Sequence, residues 1–225
     1  MKGAILGVRK LTIRGSDPLP VEQYFSFPIR PYLAAYRFRS NETLIREAEQ
    51  PDCLYFIAEG RVKISLLHEN GRETIFSFLS APAFVGELEL LGERDLAAKV
   101  ITLTPCTCYR IQSSACRSQI LNDSKFLREL CLMIARRNIQ NTRNFAANQS
   151  YPLNVRLAQF ILLSSHGGLY REKHTEAAAY LGVTYRHFLY VLADFVKQGL
   201  LEKTERGYRI ANEQALRRAA GNNDY

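Results

Sequence analysis

The chain has 225 residues, 47% of them hydrophobic with 12 Phe and 12 Tyr, which is enough for one large or two modest domains with a sizeable core. No apolar run approaches the roughly 18 residues of a membrane span. The start, MKGAILGVRKLTIRGSD, meets Arg9 and Lys10 before any adequate apolar stretch, which argues against a secretory signal and for a cytoplasmic location. The net charge is +8, yet residues 1–109 hold 13 basic and 13 acidic side chains while residues 110–225 hold 17 and 9. The excess lies wholly in the C-terminal half, as expected of a nucleic-acid partner, although a solvated helical surface gives the same count.

In chain order, residues 1–35 carry Pro18, Pro20, Pro28 and Pro31 and predict irregular structure or a short helical lead-in. From about 36 to 112 the pattern is β. Val62, Ile64 and Leu66 alternate with Lys63 and Ser65, and Asn70-Gly71 is a strong hairpin signal. KVITLTPCTCYRI is a further strand, and turn residues recur at Gly60, Gly71, Pro82, Gly86 and Gly92, the spacing of a sandwich or jelly roll. Ser113 and Ser114 are suited to cap a short helix. A longer helix follows from about Phe126 to Gln149, roughly 36 Å long at 1.5 Å per residue.

That helix carries two apolar stripes, Leu127, Leu130 and Ile134 on one side and Leu132, Ala135, Ile139 and Ala146 on another. A single exposed helix needs one stripe, so two predict packing on its own domain and on a partner helix. Asn138, Asn141, Asn144 and Asn148 in its second half argue against full burial. Leu127 and Ile134 are expected on the dimer seam, with asparagines fixing register. Pro152 breaks the helix, which divides the chain into 1–112, 113–150 and 151–225.

Residues 153–165 predict a new helix ended by Gly167-Gly168. HTEAAAYLGV and TYRHFLYVLADFVKQGL then read as two helices joined at Gly182, a helix-turn-helix spanning about 175–194, and LLEKTERGYRI as two short strands turning near Gly207. Ala177, Ala178 and Ala179 are small enough for close helix approach, Leu181 and Val183 face the core, and Thr184 is placed to cap the second helix. Phe188, Val191, Leu192 and Phe195 point inward at i, i+3, i+4 and i+7. Tyr185, Arg186, His187 and Tyr190 are left on the outward side, with Leu189 there or at the core edge. The start of such a helix reaches base edges in the DNA major groove. Arg186 matches guanine O6 and N7, and Lys173 and Thr175 at the start of the first helix suit phosphate.

A β-roll, a long helix and a winged helix-turn-helix, in that order, resemble the CRP/FNR superfamily of bacterial transcription regulators. The resemblance rests on EGRVKI, FVGELELLG, NVRLAQFILL and AAAYLGVTYRHFLYVL; more narrowly, NDSKFLRELC, NQSYPLNVRLAQFILLS and EKHTEAAAYLGVTYRHFLYVLADF look like the YeiL branch. It implies an α+β architecture: an N-terminal cyclic-nucleotide-binding-like β-roll (jelly roll), a long dimerisation helix and a C-terminal winged helix-turn-helix. It also implies a homodimer on palindromic double-stranded DNA, with RNA polymerase as a further partner and a small-molecule or redox effector. In the family's cyclic-AMP-binding members an Arg-Ser pair follows the Gly-Glu segment; the Arg pairs with the phosphate and the Glu binds the ribose. Gly86 and Glu87 are present here, but the pair corresponds to Ala97-Ala98 and Arg94 stands too early in the loop, so cyclic AMP is not expected as effector. Glu87 is then expected to satisfy backbone donors in the roll.

The family's Glu-x-x-x-Arg reader falls at Arg186 and Tyr190, so the operator is expected to differ from the usual half-site. SSHGGLYREK is shorter than its counterpart in the cyclic-AMP receptor, so a polymerase-contacting loop there is not assumed. The iron–sulfur members' N-terminal cysteine cluster has no counterpart, because the first cysteine is Cys53. Cys106 and Cys108 share one face of a strand and suit either redox or soft-metal chemistry or plain core packing. Two rival functions remain. A cupin-like enzyme needs clustered histidines, and only His68 falls in the roll. A scaffold that does not bind DNA differs in lacking salt-dependent DNA retention.

Overall fold

The computed structural model describes residues 8–221 apart from 16, 47–52, 68–70, 72 and 93–97. The chain divides into two compact units, one of residues 1–66 and 79–138, the other of residues 67–78 and 139–225.

The first unit is built on two antiparallel sheets. One has the order β1-β2-β9-β4-β7, with β1 at Arg9–Leu11, β2 at Leu33–Phe38, β4 at Leu54–Glu59, β7 at Ala83–Val85 and β9 at Cys106–Ile111. The other runs β3-β8-β5-β6, with β3 at Thr43–Ile45, β5 at Arg61–Leu67, β6 at Glu73–Ser80 and β8 at Lys99–Thr102, so KVITLTPCTCYRI, read as one strand, is two strands in different sheets. Phe38, Ile57 and Cys108 of the first sheet and Ile45, Val62, Ile64 and Val100 of the second form one core cluster, which makes the pair a jelly roll. Gly60, at the sharp β4–β5 turn, has φ +97°, and a Cβ there would fall 2.5 Å from the Cys106 sulfur and the Pro105 carbonyl oxygen. Lys63 and Ser65, expected opposite the buried face, are themselves buried. The alternation of β5 therefore separates two covered faces, not an inside from an outside. Of the expected Asn70-Gly71 turn, Gly71 takes a positive φ of 75°; Asn70 lies outside the described residues, as do His68, Arg94 and Ala97.

A second core layer lies on the first sheet. Leu54, Phe56, Phe84 and Ile111 from the strands meet Val21, Tyr24, Phe25 and Ile29 from the lead-in. They also meet Cys116 and Ile120 of α2 (Ser113–Leu121) and Phe126 and Leu130 of α3 (Ser124–Ser150). The lead-in holds two short 3-10 turns, Glu22–Tyr24 and Arg30–Tyr32, and the edge strand β1, which the proline-rich pattern conceals. Gln112, with no side-chain cap bond, precedes α2, so Ser113 opens that helix and does not cap it. Asp123 stands before α3 and accepts from the backbone N–H of Lys125 (3.0 Å), Phe126 (3.3 Å) and Ser26 (2.7 Å). This cap fastens the lead-in to the helix; Phe25 stacks on Phe126 at 4.7 Å.

The two stripes of α3 now separate. Leu127 and Ile134, expected on a partner seam, pack with Leu130 and Met133 on the roll's own core. Leu132, Ala135, Ile139 and Ala146 are exposed, Ile139 by 53%. These four are spaced 3, 4 and 7 residues apart, the spacing of a coiled-coil seam. The side chains of Asn144 and Asn148 lie outside the description.

The second unit holds α4 (Leu153–Ser164), α5 (His174–Tyr180), α6 (Tyr185–Lys197), the sheet β10-β12-β11 (Leu169–Tyr170, Gly207–Ile210, Leu201–Thr204) and α7 (Glu213–Ala219). Its core comprises Leu157, Phe160 and Ile161 of α4, Ala177 and Ala178 of α5, Phe188, Val191, Leu192 and Phe195 of α6, and Leu216 of α7. Ala179, grouped with its neighbours as small enough for close helix approach, is exposed. The tip of the β5–β6 hairpin belongs to this unit. Ile75 is buried in its core, and Phe78 packs edge-on against Phe160 at 5.9 Å and Tyr180 at 5.7 Å.

Candidate nucleic-acid interface

The turn between α5 and α6 is held from several sides. Gly182 has φ 64°, the left-handed conformation that ends a helix. Val183 N–H donates back to Ala178 O and Gly182 N–H to Ala179 O, at 3.0 and 3.1 Å. Arg156 of α4 reaches across to donate to Leu181 O at 2.5 Å and to Tyr151 O at 2.9 Å. The Thr184 hydroxyl accepts from His187 N–H at 3.3 Å, which caps α6 as its sequence predicts. His174 adds a brace on the far side. Its ring lies against Tyr170, Phe188 and Tyr208, and burial pushes its pKa below the ordinary histidine value.

With four aromatic or aliphatic side chains of α6 locked inward, its first turns present Tyr185, Arg186, His187 and Tyr190 to solvent. Leu189 is half-buried at the core edge. Arg186, Lys197, Lys203 and Arg206 are exposed, so their charge is available to an anionic partner; Lys203 and Arg206 belong to the β11–β12 wing. Lys173 precedes α5 and Thr175 stands in its first turn. Lys173 is not a bare charge, however. It pairs at 3.0 Å with Glu176, whose side chain is buried, and the hydrogen bond to that carboxylate raises the Lys173 pKa. The K-x-x-E spacing that brings them together is readable in the sequence.

In the roll, Glu87 opens the short helix α1 (Glu87–Leu91), after Gly86 in the left-handed conformation. The sequence suggests a carboxylate that serves backbone donors, but among the described residues its partner is a side chain. The carboxylate receives the Arg137 guanidinium from α3, which also donates to Phe84 O at 3.0 Å. Both partners are largely buried, with side-chain exposures of 4% for Glu87 and 15% for Arg137. Ala98, one of the two alanines of the expected ligand loop, is buried in the apolar cluster between the sheets.

Cys106 and Cys108 do share a face, and both are buried there. The Cys106 thiol lies 3.4 Å from Arg61 O and 3.2 Å from Thr104 O. The hydrogen bond it shares with Cys108 lowers the Cys106 pKa against the opposing effect of burial, and the same bond together with burial raises that of Cys108. Among the described residues no group of three or more His, Cys, Asp or Glu side chains is placed to hold a metal ion. Among them, too, no helix is long and apolar enough to cross a membrane.

Comparison with known proteins agrees with both units. Residues 36–123 match the cyclic nucleotide-binding domain and residues 155–219 the Crp-like helix-turn-helix domain. The chain is 42% identical over 181 residues to the regulatory protein YeiL of Escherichia coli O157:H7, covering 80% of this chain and 83% of that protein. It is 32% identical over 129 residues to the cAMP-activated global transcriptional regulator CRP of Escherichia coli O6:H1, covering 56% and 61%. The crystal structure of a CRP-family transcriptional regulator from Thermus thermophilus superposes with a TM-score of 0.64 at 24% identity over 83% of this chain and 96% of that one. The helix-turn-helix match falls where the structure displays a capped, outward-facing helix, and the likeness to YeiL runs through both units: the chain belongs to the CRP/FNR family of DNA-binding transcriptional regulators and is not an enzyme.

Proposed function

We propose that the regulator acts as a cytoplasmic homodimer on a palindromic operator, with residues 1–112 as the sensory roll, 113–150 as the pairing segment and 151–225 as the reading head. Exposed Leu132, Ala135, Ile139 and Ala146 are the seam between two copies of α3. Each copy then places the start of α6 in the major groove. Arg186 reads a guanine through O6 and N7, flanked by Tyr185, His187 and Tyr190. Thr184, Thr175 and Lys173 position the backbone, Lys173 with its ammonium already oriented by Glu176. RNA polymerase is the further protein partner.

The observation that carries this reading is the rigid display of Arg186: exposed, in the first turn of a helix capped by Thr184 and braced by Arg156. Selection from a random duplex library tests it. Arg186→Ala is expected to lose the guanine preference while keeping most non-specific affinity, and Lys173→Ala to weaken all duplexes alike and flatten the salt slope by about one unit. An unchanged consensus with Arg186→Ala overturns the assignment.

Cyclic AMP is not the effector in this reading, although the CRP relatives are described as activated by it. Support comes from Ala98 inside the apolar core and from Glu87, whose carboxylate already has the Arg137 guanidinium. Calorimetry with cyclic AMP and cyclic GMP checks the point; micromolar binding with a matching gain in DNA affinity refutes it.

A further inference from the structure

Among the described residues Tyr190 is the most exposed large hydrophobic side chain, at 75%. It takes no part in the core of its unit. A tyrosine side chain carries roughly 150–250 Å² of surface, and leaving it in water contributes nothing to the fold. Its place on α6 is specific. Arg186, Tyr190, Ala193 and Lys197 stand at i, i+4, i+7 and i+11, and all four are exposed along one line of the helix. Ala193, small and exposed one turn on, leaves the ring room to lie against whatever the helix enters.

The separation of Arg186 and Tyr190 along the axis is about 6 Å, close to two base steps of about 3.4 Å. In the major groove only thymine presents an apolar group, its C5-methyl. An aromatic edge beside a guanidinium on one helix face therefore suits a guanine with a thymine near it. Resting on the reading of Arg186 above, we propose that Tyr190 is a specificity-determining residue whose ring packs on a thymine methyl group within two base pairs of the guanine read by Arg186. The recognised half-site is thus a guanine–thymine combination, in which the tyrosine contributes shape and apolar contact and the arginine contributes hydrogen bonds.

The test uses the full-length protein and duplexes obtained by random-library selection. Each selected thymine is replaced singly by deoxyuridine, which removes the methyl group and leaves every hydrogen-bonding atom in place. Fluorescence anisotropy at fixed salt then compares the pairs. The wild type is expected to lose about fourfold in affinity at one thymine near the guanine, the scale of one buried methyl group. Tyr190→Ala binds the thymine duplex more weakly and no longer distinguishes it from the deoxyuridine duplex. Tyr190→Phe keeps the discrimination, because the ring and not the hydroxyl makes it. Equal affinity of the wild type for thymine and deoxyuridine at every selected position overturns the proposal. So does Tyr190→Phe behaving like Tyr190→Ala with uniform loss on all duplexes, which makes the hydroxyl a phosphate contact. Failure of the guanine assignment reads differently, as an unchanged consensus with Arg186→Ala.

Discussion

Replacing Arg137 by methionine isolates the best-buried ion pair among the described residues of the first unit. The substitution keeps a long, flexible side chain but leaves the Glu87 carboxylate, 4% exposed, without its guanidinium and Phe84 O without one donor. Removing one partner of a buried pair costs about 3–5 kcal/mol. At a urea slope near 2 kcal/mol per molar, the unfolding midpoint falls by about 1.5–2.5 M. Replacing both partners, with Glu87→Leu and Arg137→Met together, removes the stranded charge and is expected to return to within about 1 kcal/mol of the parent. The coupling in a double-mutant cycle is then at least about 2–4 kcal/mol, with the cost of Glu87→Leu alone adding to it, which reaches or exceeds the upper part of what neighbouring residues usually show. Urea unfolding followed by circular dichroism gives the free energies, and hydrogen exchange at the amides of β7 and of α3 up to Asn138 assigns the loss to this unit, since a chain of two units need not unfold as one cooperative block. The reasoning is refuted if Arg137→Met lies within about 0.5 kcal/mol of the parent, the spread of neutral surface changes, or if the double variant is as unstable as the single one.

Leu132→Asp combined with Ile139→Asp is expected to yield folded monomers by sedimentation, whereas Leu127→Asp destabilises the roll itself; dimers that survive the first pair place the seam elsewhere. Burial depresses the pKa of His174, so neutral His174 contributes stability that is fully present above the unfolded value near 6.5 and is lost as pH falls through the lower folded value. Thermal melts of the parent should therefore decline on acidification below about pH 6.5 more steeply than those of His174→Phe, and parallel profiles refute the assignment. Of the five cysteines only Cys131 is exposed. A thiol titration should find one fast-reacting group, abolished by Cys131→Ser, and fast labelling of Cys106 or Cys108 in the folded protein contradicts their packing in the roll.

The helix-turn-helix is legible in the sequence because its signals are local. The inward spacing of Phe188 to Phe195, the glycine at the turn and the threonine cap each lie within a few residues of what they act on. α7 carries equally local signals: Asn212 accepts from Ala215 N–H, Glu213 opens the helix, and Arg217 and Arg218 close it. The long helix is legible as two stripes but not as to which stripe the roll takes, because periodicity reports a buried face without naming what buries it. Arg137 and Glu87 lie 50 residues apart, and no spacing rule connects them. Lys63 and Ser65 mislead because a polar residue on a strand is read as solvated until the covering layer is known.

The hairpin tip, residues 67–78, has a practical bearing on modularity. Cutting at Pro152 to isolate the DNA-binding part would discard Ile75 and Phe78, baring the aromatic edges of Phe160 and Tyr180 that Phe78 covers. A fragment so trimmed inherits an apolar scar, and transplanting it onto a foreign sensor calls for a substitute hairpin or a polar resurfacing of those two rings. The boundary drawn by chain order and the boundary drawn by packing are not the same line, and parts exchanged between relatives will behave only when they are cut along the second.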